Sequence, residues 1–265
     1  MTMHIPKKTD SFVVHLSVGE IRMKRMLGPR RTVVPKWVFV IAALCSVLFF
    51  VLAAEVRRYG PVSKVDRKIS AFFHDKGWAN SIFLQAATDL GSNFAGRGLW
   101  ATALVLILAR RWQYIPALWL SVSLGGHINA EMQRFFARAR PRFSDMPILT
   151  NPGFPSGHTA GAALFLGFLI IVAICEIRTK SLKIFAVSLA LAFILLIGFS
   201  RIALLVHHAS DVVGSILWCT AWLVGCYYAN IVAYRWSAKN LERWNEDEDR
   251  SEHPPVGKSV DSGSK

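Results

Sequence analysis

Long runs of apolar residues constrain this chain more than any other feature. There are six blocks, at about 37–54, 96–108, 115–130, 159–175, 184–199 and 212–233; several approach the length that crosses a bilayer as a helix, and 96–108 needs its flanking residues to complete it. Hydrophobic residues make up 53% of the chain, above the usual apolar share of a soluble domain. The chain therefore reads as a multi-span membrane protein and not as two soluble domains. The expected fold class is all-α: a six-transmembrane-helix bundle with an additional interfacial amphipathic helix. Such a bundle is held by close packing of small residues, because lipid supplies no hydrophobic drive between helices.

The segments between and around the blocks complete the layout. Within 55–95, Val65, Ile69, Phe72 and Phe73 recur at helical spacing among Lys64, Asp66, Arg67, Lys68 and Asp75. That pattern suits a helix lying at the membrane surface. Residues 1–36 are polar and basic and are expected to form a cytoplasmic tail, with Met23 or Met26 as alternative starts. A basic stretch before an apolar block also suits a signal peptide. Here the basic stretch is long and the block can span, so a retained anchor is expected. Residues 237–265 are charged and rich in Ser, Pro and Gly, and a disordered cytoplasmic tail is expected. The six-span domain thus covers 37–236.

Charge sets the orientation. Six spans place both termini on one side, together with Arg110, Arg111, Arg178, Lys180, Lys183 and Arg235. The positive-inside rule makes that side cytoplasmic. Lys and Arg number 31 against 17 Asp and Glu. In a chain this apolar, membrane lipids and an acidic substrate are better partners for that excess than nucleic acid. Two basic stretches, Arg134 to Arg142 and Arg201, fall on the outer side, where topology gives them no purpose and an anion would. The four cysteines, Cys45, Cys175, Cys219 and Cys226, lie inside apolar blocks without metal-ligand spacing and read as small hydrophobes.

Three short stretches share that outer face: Arg140-Pro141, then Pro155-Ser156-Gly157-His158, then Ser200-Arg201 followed at fixed spacing by His207 and Asp211. A planar guanidinium grips phosphate oxygens with paired hydrogen bonds, which suits Arg140 and Arg201. Ser156, Gly157 and His158 open a span, where free N–H groups and partial positive charge cradle an anion. His207 and Asp211 are four apart, so the carboxylate can hold one imidazole nitrogen and leave the other free to attack. His158 can protonate a leaving alkoxide.

These stretches resemble the three signatures of the type 2 phosphatidic acid phosphatase superfamily: Lys-x6-Arg-Pro, Pro-Ser-Gly-His and Ser-Arg-x5-His-x3-Asp. The second and third are complete here, and the likeness of layout runs from about Asp66 to Tyr228. The resemblance implies metal-independent phosphoester hydrolysis through a phosphohistidine, without a cofactor. His207 would be the nucleophile, Asp211 its orienting partner and His158 the general acid. Arg140, Arg201, Ser156 and Gly157 would hold the phosphate. One position departs from the pattern: the motif lysine falls on Gln133. Arg134, about 100° further round a helix, and Arg138, nearer the loop, are alternative sources of that charge.

Other polar residues have simpler readings. His208 does not keep the motif spacing, and a solvated or packing role is expected. His127 and Glu131 match no motif, and a structural hydrogen bond is expected of them rather than a functional role. Arg138 and Arg142 are expected to be solvated or to meet lipid headgroups. The implied activity is that of an integral membrane lipid phosphatase acting on a lipid phosphate or pyrophosphate, such as undecaprenyl pyrophosphate, phosphatidylglycerophosphate, phosphatidate or lipid A. The rival readings are a lipid phosphotransferase of the same fold and a non-enzymatic degenerate relative. The apolar spans exclude a soluble haloperoxidase. Size and simplicity suit a bacterial inner (cell) membrane, with the site on the periplasmic side.

Overall fold

The computed structural model describes residues 35–146 and 148–252, and every regular element among them is helical. Helix α1 spans Lys36–Arg57, α2 Pro61–Asp75 and α3 Ile82–Leu108. Helix α4 (Ile115–Leu118), a π-helical segment Trp119–Leu124 and α5 (Gly125–Phe136) then follow without a break. Helix α6 covers Gly157–Glu176, α7 Lys180–Ala203 and α8 Ala209–Glu252. The expected all-α class is met among the described residues.

Four helical segments are long and apolar enough to cross a membrane: Lys36–Arg57, Gly157–Glu176, Lys180–Ala203 and Ala209–Ser237. A shorter apolar stretch, Gly96–Leu108, ends α3. Side chains such as Val40, Leu44, Val47 and Phe50 of α1 point away from the protein, while Phe49, Ala53 and Val56 pack inward. So broad an apolar surface is foreign to a soluble monomer and natural against lipid.

Helix α6 is the hub, packed between α3, α7 and α8. Its contacts depend on small residues. A Cβ added to Gly98 of α3 would lie 2.5 Å from the Phe165 ring, and one added to Gly167 would lie 2.4 Å from Leu223 of α8. These approaches are closer than any side chain allows, which is how apolar helices associate where water exclusion gives no drive. The end of the bundle where α6 stops is tied by Glu176, which pairs with Arg111 at 2.9 Å and accepts a hydrogen bond from the Tyr114 hydroxyl at 3.0 Å. The opposite end, where α6 begins and α7 finishes, carries the motifs.

Helix α2 is amphipathic as expected, but its polar face is the buried one. Ser63, Asp66 and Ser70, three and four residues apart, are buried against the bundle, whereas Val65 and Phe72 are each 55% exposed. The sequence pattern reveals two faces and not which of them meets protein.

The expected disorder of 237–265 requires correction over 237–252, which continue α8. Propagating an existing helix adds one bond per residue fixed, and the Ala, Lys, Leu, Glu and Arg of this stretch favour it. The expected tails at 1–34 and 253–265 lie outside the described residues.

Candidate active site

The third motif owes its spacing to two helix ends. Helix α7 stops after Ala203, and Leu205 adopts a left-handed φ of 57°. The N–H of Val206 then donates to Arg201 O at 3.2 Å and that of Leu205 to Ile202 O at 3.0 Å. This is the Schellman pattern, with leucine where glycine is usual. A non-glycine residue there costs about 1–2 kcal/mol, and the near-complete burial of Leu205 offsets it. His207 N–H also donates to Arg201 O, at 3.1 Å. The five residues between Arg201 and His207 are thus what it takes to leave one helix and turn back.

Helix α8 begins immediately afterwards. Asp211 occupies its first turn and accepts the His208 N–H on Oδ2 at 2.9 Å, the reciprocal half of a capping box. The same Oδ2 lies 3.4 Å from His207 Nδ1, a long contact at the limit of a hydrogen bond. His207 is 1% exposed and its Nε2 has no hydrogen-bond partner among the described residues. Burial pushes the His207 imidazole below its ordinary range, against the opposing pull of Asp211. One nitrogen therefore faces a carboxylate, while the other is bare on a ring that burial keeps neutral.

The second motif meets the third through Ser156. Its N–H donates to Asp211 O at 3.1 Å, and its carbonyl accepts from Ser215 Oγ at 2.9 Å, docking the start of α6 on the start of α8. Its hydroxyl accepts from Thr159 Oγ1 at 3.0 Å. A cavity of about 360 Å³ opens in front of this junction, lined by His207, His158, Gly157, Arg140, Gln133 and Arg134 among others. Six of the residues singled out in the sequence thus meet on one space. Ser156 is fully buried behind it.

Arg140 holds the two histidine loops together. It donates Nε to Asn151 O at 2.8 Å, one terminal nitrogen to Val206 O at 2.8 Å, and the other to Pro152 O at 3.5 Å. Three of the five donors of a guanidinium are used this way, leaving two for another acceptor. Gln133, at the motif lysine position, donates Nε2 to Pro155 O at 2.7 Å. Its amide also lies 3.5 Å from where a Cβ on Gly157 would be. Arg134 pairs with Glu131 at the exposed rim, and Glu131 also lies 3.9 Å from His127. Arg201 is buried and donates to Thr88 Oγ1 at 2.6 Å.

Two residues complete the site in roles the sequence did not give them: Asp66, and Arg138, which the sequence also offers as a source of the motif charge but which does not line this cavity. Arg138, expected to be solvated or at lipid headgroups, is 8% exposed. It donates to Asp211 Oδ1, to Ser210 Oγ at 2.6 Å and to Asp66 Oδ2 at 2.7 Å. Asp66 of α2 also accepts the Ser210 N–H at 3.0 Å, in the first turn of α8. Two buried carboxylates flanking one guanidinium satisfy the rule that buried charge is paired. Asp66 was legible only as part of a polar helix face. His208 lies on the far side of the loop, 3.4 Å from Ser70 Oγ.

The PAP2 superfamily model matches residues 117–235, which hold the whole of the cavity lining. No curated protein matches the chain. The crystal structure titled as the first transmembrane PAP2-type phosphatidylglycerolphosphate phosphatase from Bacillus subtilis superposes with a TM-score of 0.60. It shares 22% identity, and the match covers 70% of this chain and 93% of that one. At that identity the likeness is one of fold. The resemblance carried by the motifs is met by the family model over residues 117–235, and the solved structure matches the helical fold.

Proposed function

We propose that this chain, a membrane protein with a PAP2-like fold, hydrolyses a lipid phosphate through a covalent phosphohistidine on His207. The observation that carries the reading is the bare, buried Nε2 of His207, on a residue that lines a cavity together with His158.

The substrate phosphate sits in that cavity. The two spare donors of Arg140 and the free N–H groups at the start of α6 take its oxygens, with Gln133 and Arg134 beside them. Arg201 adds positive charge from behind the loop. His207 Nε2 attacks phosphorus, and the bond from phosphorus to the lipid oxygen breaks. His158 gives its proton to the departing alkoxide. Water then attacks the phosphohistidine and passes a proton to His158, phosphate leaves, and His207 is restored. Asp211 keeps the proton on Nδ1 throughout, so that Nε2 stays the nucleophile.

The reading extends to six spans, formed by α1, α3, the run from α4 to α5, α6, α7 and the apolar part of α8. Helix α2 lies in the outer interface with Val65 and Phe72 toward lipid. Arg110, Arg111, Arg178, Lys180 and Lys183 gather at the end away from the cavity, which supports cytoplasmic termini and an outward-facing site in a cell membrane.

The test is phosphate release from phosphatidate, phosphatidylglycerophosphate, undecaprenyl pyrophosphate and lipid A by the protein purified in detergent. The wild type releases phosphate and forms an acid-labile phosphoenzyme, and His207→Ala does neither. Equal release by both proteins would overturn the mechanism. Release only when an acceptor lipid is added would make the chain a phosphotransferase.

A further inference from the structure

A second cavity, of about 350 Å³, lies on the other side of the catalytic loop. Its lining includes Ser63, Arg67, Ser70, Arg140, Arg142 and His208. Arg140 belongs to both cavities, so the two spaces flank a single guanidinium.

The chemistry of this lining is that of a second anion site. Arg67 and Arg142 are exposed and make no ion pair or side-chain hydrogen bond among the described residues. Arg138 also borders the cavity, but Asp66 and Asp211 neutralise it. Burial and Arg138 push the His208 ring below its ordinary range, leaving a neutral donor or acceptor. The second observation is Ser63. It is 4% exposed, lines the cavity, and its hydroxyl has no partner among the described residues. A buried hydroxyl left without a partner costs about 1–3 kcal/mol, so its place beside two free arginines calls for an acceptor from outside the protein.

We infer that this cavity holds a second phosphate of the same substrate, so that the preferred lipids carry two phosphates in the head. The reaction at His207 needs only one phosphate. A head with a terminal phosphate and a second one, either through a short linker or as a pyrophosphate, would meet Arg140 with the first and Arg67 and Arg142 with the second. The inference rests on the phosphatase reading above and narrows its substrate class. Arg67 and Arg142 give planar, paired recognition of phosphate oxygens, and Ser63 and Ser70 complete the set with hydroxyls.

The test is steady-state hydrolysis in non-ionic detergent micelles of phosphatidate, phosphatidylglycerophosphate with the same acyl chains, and undecaprenyl pyrophosphate. The variant is Arg67→Gln with Arg142→Gln, which leaves the catalytic cavity untouched. For at least one two-phosphate lipid its KM rises about tenfold with kcat within twofold, as expected for lost charge-assisted hydrogen bonds. For phosphatidate kcat/KM stays within twofold. Ser63→Ala raises the same KM by about threefold. Equal losses on all lipids, or no loss on any, would overturn the inference while phosphatidate turnover leaves the phosphatase reading intact. No phosphate release from any lipid by the wild type would instead sink that reading. Adding phosphatidylglycerol to the micelles separates the sources of the phosphate. If it changes phosphatidate turnover by the wild type and not by the variant, the cavity serves a neighbouring lipid and the inference fails.

Discussion

Arg138 donates to the carboxylate of Asp211, the residue that faces His207 Nδ1, and both side chains are buried. The same guanidinium reaches Asp66 of α2 at 2.7 Å. The orienting acid is thus itself held from behind by a cation, which a second carboxylate holds in turn. The surface helix α2 is connected to the nucleophile through three charged groups.

Arg138→Ala leaves two buried carboxylates without their cation. Breaking a buried pair from one side costs about 3–5 kcal/mol, so the thermal midpoint in detergent falls sharply. The loosened Asp211 also lowers kcat, by about a hundredfold if His207 shifts by 1 Å. Asp66→Asn in the same background removes one of the stranded charges and recovers part of the midpoint. Losses that simply add would show that the three groups do not form one network.

His158→Asn separates the acid role from phosphate binding. A lipid alkoxide is a poor leaving group and needs a proton, whereas p-nitrophenolate leaves without one. With phosphatidate the variant loses about 10²–10⁴-fold in kcat, and with p-nitrophenyl phosphate far less. Equal losses on the two substrates would assign His158 to binding and not to proton transfer.

The pH profile should report His207. Burial lowers its pKa from the ordinary 6.5, so the limb of kcat/KM that reflects its protonation lies below pH 6.5. Asp211 opposes that shift, so Asp211→Asn moves the limb to still lower pH while reducing kcat. The sign for stability follows. Between the folded pKa and 6.5 the unfolded chain binds more protons, so the contribution of His207 to stability falls as pH drops through that window. A limb above pH 6.5, or one that Asp211→Asn raises, contradicts the assignment.

Gln133→Lys restores the motif cation. Lysine can keep the donation to Pro155 O and add charge at the cavity wall. A charge-assisted hydrogen bond exceeds a neutral one by about 1 kcal/mol, so kcat/KM rises about fivefold. Gln133→Leu strands the Pro155 carbonyl and lowers it. If lysine leaves the rate unchanged, the cavity already holds enough charge through Arg134 and Arg140.

What the sequence determined by itself is local or repeated at short range. Apolar blocks specify helices because backbone groups in lipid have only themselves to bond. The spacing of Arg201, His207 and Asp211 was legible because it encodes one helix end and the next helix start, both set by near neighbours. Helix α8 outran the expected tail because helix growth depends on the helix already formed, not on composition alone. The tertiary structure decided which face of α2 is buried, and with it the place of Asp66. It turned Arg138 from a solvated cation into the bridge between Asp66 and Asp211, across 72 and 73 residues of sequence. It also set Arg140 between two cavities, and joined Asp66 to Ser210 over 144 residues. A charged residue reads the same in sequence whether it meets water or a buried partner. Desolvation and pairing, which tell the two apart, exist only once distant segments pack.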